Sequence, residues 1–168
     1  MNKKILDKFS AHLKQAFRQA NAVSTELGHG SVNPEHMLFG LIMQRGSIAA
    51  EVLTKVGLTN EKIRRLITQQ NSAALPAHEK PQEKINRKLS IESKKAIEKA
   101  ALLAHQHKHK YIGTEHLLFT ILQLDTKALN SLYQAHAINK KNVIEHLQTV
   151  MKTTSRFPDL TQLFDQPK

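Results

Sequence analysis

The chain copies itself. Residues 32–39 read Val32-Asn33-Pro34-Glu35-His36-Met37-Leu38-Phe39, and at an offset of 80 residues stands Ile112-Gly113-Thr114-Glu115-His116-Leu117-Leu118-Phe119. The flanks follow: Ala16 and Ala20 fall opposite Ala96 and Ala100, Gly28-His29 opposite Lys108-His109, and Gly57-Leu58 opposite Ala137-Ile138. The register slips by about one residue near Gln123–Ala135. A repeated unit narrows the choice of folds, because what one copy makes the other can make, and each buries its apolar face best against its twin. Two copies in 168 residues describe a pseudo-two-fold globule rather than a long solenoid.

Each unit reads as four helices, so the expected class is all-α. In the first, Leu6, Phe9, Leu13, Ala16, Phe17 and Ala20 recur at helical steps, which predicts one long helix over about 3–26, ended by Gly28 and Gly30. Asn33 suits an N-cap, Pro34 the first helical position, and Glu35 the positive end of the helix dipole. A third helix spans about 47–56, and a fourth follows a Thr59 cap to about Gln70. The second unit repeats the plan: a Ser90 cap and helix to about His107, a helix opened by Gly113-Thr114, then two more near 126–135 and 139–152. Strand-like alternation is absent. The expected division is a first repeat over 1–70, a linker over 71–89 carrying Pro76 and Pro81, a second repeat over 90–152, and an exit tail over 153–168 with docking capacity in Phe157, Leu160 and Phe164.

Composition removes several function classes. There is no cysteine, so disulfides, thiolate metal sites and a cysteine nucleophile are excluded. No apolar run approaches the roughly 18 residues of a membrane span, and the basic start has no apolar signal core, which points to a cytoplasmic protein with no membrane partner. None of the glycines, at 28, 30, 40, 46, 57 and 113, fits a phosphate-cradling Gly-x-x-x-x-Gly-Lys-Ser/Thr loop. The net charge is +11, but it is spread evenly: residues 1–75 carry 10 Lys/Arg and 5 Asp/Glu, residues 76–168 carry 15 and 9. An even spread without interleaved aromatic residues reads as a solvated surface and weighs against nucleic acid.

The strings Gly28-His29, Asn33-Pro34-Glu35-His36-Met37-Leu38, Ile48-Ala49-Ala50-Glu51-Val52-Leu53 and Tyr111-Ile112-Gly113-Thr114-Glu115-His116-Leu117-Leu118 resemble the Clp repeat, the N-terminal domain of the ClpC/ClpA/ClpB family of AAA+ unfoldases. The likeness covers about residues 3–152. It implies two four-helix Clp repeats in one globular domain that receives unfolded or tagged substrates and adaptor proteins and passes them to an ATP-driven motor, on the same chain or in trans. Because the chain lacks a nucleotide-binding loop, no enzyme and no cofactor are expected on it, and it is expected to be part of or accessory to an ATP-dependent Clp protease or chaperone. In ClpC-type members the domain can also bind phosphorylated arginine through the Glu of Gly-Thr-Glu-His. By match, the contact residues are Gly113, Thr114 and Glu115, with Glu35 a weaker twin because Asn33-Pro34 replaces Gly-Thr. A carboxylate can pair with a guanidinium fork while helix-start amides and the Thr hydroxyl hold the phosphate.

Other readings stay open. Glu35 and Glu115 at helix starts stabilise without any ligand. His36 and His116 suit packed, hydrogen-bonded positions. His105, His107, His109 and His116 suggest a metal site whose spacing is poor, since His109 falls at or past a helix end. A diverged ClpB-like module for apolar unfolded segments, a stand-alone Clp accessory protein and, from another class, a basic helical nucleic-acid-binding protein are the alternatives.

Overall fold

Ser10 and Ser90 start the same helix in the two copies. In a computed structural model, which describes residues 3–70 and 88–156, α1 spans Lys3–Leu6, and Ser10 caps α2, Ala11–Glu26, by accepting the Leu13 N–H at 3.2 Å. Ser90 caps α6, Ile91–Gln106, by accepting the Ser93 N–H at 3.1 Å. The long helix expected over 3–26 is therefore broken. The reason is tertiary: Phe9 forms a parallel bridge with Ile112, Ser10 N–H donates to the Ile112 carbonyl at 3.0 Å, and Ile112 N–H donates to the Lys8 carbonyl at 2.7 Å. Leu6, Phe9 and Leu13 keep helical spacing across the break, so the period does not reveal it.

The same clasp recurs with the copies exchanged. β1, Ser31–Val32, pairs in parallel with β2, Lys88–Leu89, and Ser90 N–H donates to the Val32 carbonyl at 3.0 Å. Val32 and Leu89 are the 80-residue counterparts of Ile112 and Phe9. Each repeat thus pairs the segment before its second helix with the segment before the first helix of the other, a self-complementary interface within one chain. These strands, absent from the sequence reading, are two residues long and leave no alternation to detect.

Next come α3, Pro34–Ile42, and α7, Thr114–Leu122, again 80 residues apart. Residues 34–41 of α3 and all of α7 are buried. Both helices are apolar nearly all round, as a helix wrapped by its neighbours must be. α3 lies against α2 at Ala16 and Ala20, and α7 against α6 at Ala96 and Ala100, all at most 2% exposed. The third helices are α4, Ile48–Lys55, capped by Ser47, and α8, Lys127–Ala135, capped by Thr126. Their caps are 79 residues apart, and the register returns to 80 because α8 has nine residues against eight. The fourth helices are α5, Asn60–Gln69, and α9, Lys140–Arg156.

α9 runs past the expected stop at residue 152. Thr153 and Thr154 hydroxyls donate back to the Thr149 and Val150 carbonyls at 2.9 and 3.0 Å, which ties the last turn to the helix. Residues 71–87 of the expected linker, and the tail with Phe157, Leu160 and Phe164, lie outside the described residues. Among the described residues no helix is long and apolar enough to cross a membrane.

The copies also differ where a helix stops. Gly28 and Gly57 end α2 and α4 in the left-handed region at φ 71° and 79°, whereas Lys108 and Ala137 hold the equivalent places at φ 57° and 51°. All four close the same double hydrogen bond, for example Leu58 N–H to the Leu53 carbonyl and Ile138 N–H to the Tyr133 carbonyl. A Cβ in this region costs roughly 1–2 kcal/mol, and the added freedom of glycine in the unfolded chain returns part of it. Ala137→Gly is expected to stabilise the domain by about 1 kcal/mol, read as a rise in the urea midpoint with unchanged slope.

Candidate functional site

The paired Glu-His motifs sit at the starts of α3 and α7, each closed by a histidine relay. His36 Nδ1 accepts the Asn33 N–H at 2.8 Å, and His36 Nε2 lies 2.8 Å from His29 Nδ1. His116 Nδ1 accepts the Gly113 N–H at 2.8 Å, and its Nε2 lies 2.7 Å from His109 Nδ1. Because each Nδ1 accepts a backbone proton, the ring is neutral with its proton on Nε2, which it donates to the next histidine. A histidine here does what Glu or Gln does in a capping box, reaching back from the third helical position to the N-cap amide. In the second repeat the relay continues, since His109 Nε2 lies 3.3 Å from Thr154 Oγ1 at the end of α9. The start of α7 is thereby tied to the last turn of α9. Sequence reasoning missed this pairing, although the offset that aligns His36 with His116 also aligns His29 with His109.

Electrostatics agree with neutral rings. Burial, with the neighbouring histidines, lowers His109 to about 4 and His116 to about 3. The Glu115 carboxyl is 2% exposed, and its burial raises it to about 7. Its Oε1 lies 3.1 Å from His116 Nδ1, a contact that has the length of an ion pair. It is not one, because His116 Nδ1 has no proton to offer. Glu115 Oε2 has no hydrogen-bond partner among the described residues, and a Cβ at Gly113 would collide with this carboxyl group. Glycine leaves over its Cα the space that the carboxyl fills.

The first repeat solves the same problem differently. Ser31 Oγ donates to Asn33 Oδ1 at 3.0 Å, and Asn33 Nδ2 donates to Glu35 Oε1 at 3.3 Å. Burial raises the Glu35 carboxyl, opposed by its own N–H and by Asn33, while Glu92 at the start of α6 in the other repeat adds to the rise.

The sequence reading has Gly113, Thr114, Glu115 and Glu35 as contacts for a bound ligand on a surface between the repeats. The structure places all four inside the fold: Glu35 is 4% exposed, Glu115 2% and Thr114 0%, and Gly113 is buried. The physical reason is that both helices are wrapped on every side. Thr114 is spent on the seam, its Oγ1 accepting the Ala49 N–H of the other repeat at 3.4 Å. His109, Glu115 and His116 do place ligand atoms within 4.8 Å of one another. Yet Glu115 meets His116 on the Nδ1 side and His109 meets it on the Nε2 side. An ion on either side of the ring reaches two of the three. The other expected candidates, His105 and His107, stand outside this cluster, His105 exposed.

The family model of the Clp repeat (R) N-terminal domain matches residues 8–136 and again residues 88–160. The chain belongs to the Clp repeat N-terminal domain family. Among its relatives, a probable ATP-dependent Clp protease ATP-binding subunit of Chlamydia pneumoniae is 31% identical over 86% of this chain, and a ClpB chaperone of Rhodopirellula baltica is 29% identical over 76%. The matches span 17% and 14% of those relatives' own length. The solved N-terminal domain of ClpD from Arabidopsis thaliana superposes with a TM-score of 0.73 at 19% identity, covering 90% of this chain and 99% of that one. A ClpV N-domain solved with a VipB peptide superposes at 0.65 and 21% identity, covering 88% and 89%. In this Clp repeat domain the Glu-His motif stands buried at the starts of α3 and α7.

Proposed function

We propose that this Clp repeat domain captures unfolded or tagged proteins, and the adaptors that deliver them, for a Clp AAA+ motor joined to it or acting in trans. The observation that carries this reading is the family match over both repeats, to relatives of which this chain is only a small share. The peptide held by the ClpV N-domain supports capture of peptide segments by this fold. Exposed Met43, Ile91, Leu102 and Tyr111 favour apolar, unphosphorylated segments as the ligand class. Phosphoarginine recognition at Gly113, Thr114, Glu115 and Glu35 would require the helix starts to open.

The test is titration of the chain with a permanently unfolded protein, a phosphoarginine peptide and single-stranded DNA, each at low and high salt. Capture of the unfolded protein that persists at high salt is the expected result. Binding of DNA alone, falling steeply with salt, would replace this reading with a nucleic-acid one. Phosphoarginine binding lost in Glu115→Ala would restore the helix start as the contact site.

A further inference from the structure

The histidine relay of the second repeat ends on α9. This helix packs along α7, and its buried stripe is Val143, Leu147 and Met151, each four residues from the next. Thr154 stands next on the stripe and is 6% exposed, so the buried face closes on a hydroxyl instead of an apolar side chain. That hydroxyl has one proton, which goes to the Val150 or the Met151 carbonyl, at 3.0 and 3.1 Å. Its oxygen is left to accept from His109 Nε2 at 3.3 Å, and the Met151 backbone is a second hydrogen-bond partner of the same ring. The 80-residue counterpart of Thr154 is Ala74, which has no hydroxyl. The first relay therefore has no such end to reach, and α5 stops at Gln69.

Every proton in the second relay has one direction. The Gly113 N–H occupies His116 Nδ1, which leaves the His116 proton on Nε2. That proton occupies His109 Nδ1, which leaves the His109 proton on Nε2, facing α9. No member can reverse alone. With its proton on Nδ1, His109 would meet the His116 N–H with an N–H of its own, and Thr154, whose own proton is spent, would lose its donor. The chain of bonds is made as a unit or broken as a unit, the kind of element that carries coupling between two places.

We propose that the last turn of α9 is conditional on the start of α7: an opening at Gly113–His116 releases residues 153–156, and the same opening at Asn33–His36 does not. The chain continues from that turn into residues 157–168, so an event at the buried Glu-His start of the second repeat reaches the point from which they leave. This coupling holds whether or not the domain captures proteins.

Amide hydrogen exchange of the whole chain, read by NMR, tests it. His116→Asn is the decisive variant, because the asparagine Oδ1 takes the place of Nδ1 and still accepts the Gly113 N–H, while nothing replaces Nε2. His36→Asn makes the same change in the first repeat, and His109→Phe keeps a ring without its nitrogens. Exchange at residues 153–156 is taken relative to that of α6 in the same protein, so a general loss of stability cancels. It should quicken about fivefold or more in His116→Asn and in His109→Phe, as the loss of one hydrogen bond predicts, and no further in the double variant. His36→Asn should stay within about twofold of wild type. Unchanged exchange at 153–156 in His116→Asn, equal quickening in His36→Asn, or additive effects in the double variant would each overturn the coupling. The wild-type chain decides the matter even where a variant does not fold. Its ring-nitrogen resonances should place the His109 proton on Nε2, and a proton on Nδ1 would overturn the relay itself.

Discussion

Gly40→Ala is expected to destabilise the domain by about 3 kcal/mol, although alanine is the better helix former. Gly40 faces α2 from the last turn of α3. A Cβ there would collide with the Ala16 carbonyl oxygen, and would lie 2.9 Å from the Ala16 carbonyl carbon and 3.2 Å from the Ala20 nitrogen. All three are backbone atoms of a helix, so no side chain can swing aside, and α2 must lift off α3. The helix-propensity gain of about 1 kcal/mol is outweighed, because overpacking already costs 1–3 kcal/mol where side chains can adjust. For a chain of this size the midpoint of thermal unfolding should fall by about 6–12 °C. The second repeat shows what a side chain at this position needs: Thr120 donates its hydroxyl to the Ala96 carbonyl at 2.9 Å, so α6 and α7 leave room for it. A Gly40→Ala protein as stable as wild type would mean that α2 and α3 do not approach so closely.

That close approach also shows which features could be read from residues alone. Matching alanines at 16 and 20 and at 96 and 100 mark the tight helix pairs, and caps at Thr59 and Ser90 fix helix starts, because both are local or repeated signals. The break before Ser10 was hidden, since a helical period is indifferent to a turn that Ile112, about a hundred residues away, imposes by hydrogen bonding. The burial of Glu35 and Glu115 was hidden for a different reason. An acidic residue at a helix start looks solvent-facing when position alone is considered. The neighbouring runs, Met37-Leu38-Phe39-Gly40-Leu41 and Leu117-Leu118-Phe119-Thr120-Ile121, leave those helices no polar face, and that was the available sign of burial. The meeting of His109 with Thr154 could not be seen at all, because it depends on how α9 lies against α7.

Glu115→Gln is expected to leave stability unchanged in acid and to raise it as the solution becomes basic. Folded, the Glu115 carboxyl ionises at about 7, while in the unfolded chain it ionises near 4.5. Below pH 4.5 both states hold the proton and the substitution changes nothing through this group. Between about 4.5 and 7 only the unfolded chain releases it, so wild-type stability falls as pH rises, and above 7 the whole penalty is in place. Glutamine copies the neutral acid and escapes the penalty, which is at most about 3 kcal/mol. His109 and His116 work in the opposite sense: they stay neutral when folded, so acid below about 6.5 protonates them only in the unfolded chain and removes stability as pH falls towards 4. Both proteins share those histidines, so the difference between their urea midpoints isolates Glu115. Gly113→Ala provides the companion measurement, because its Cβ would take the space of the carboxyl and drive Glu115 out to solvent, where it titrates as an ordinary carboxylate. Equal stability of Glu115→Gln and wild type at pH 8, with a Glu115 carboxyl carbon resonance that titrates near 4, would show a carboxylate that is solvated or paired rather than a buried neutral acid.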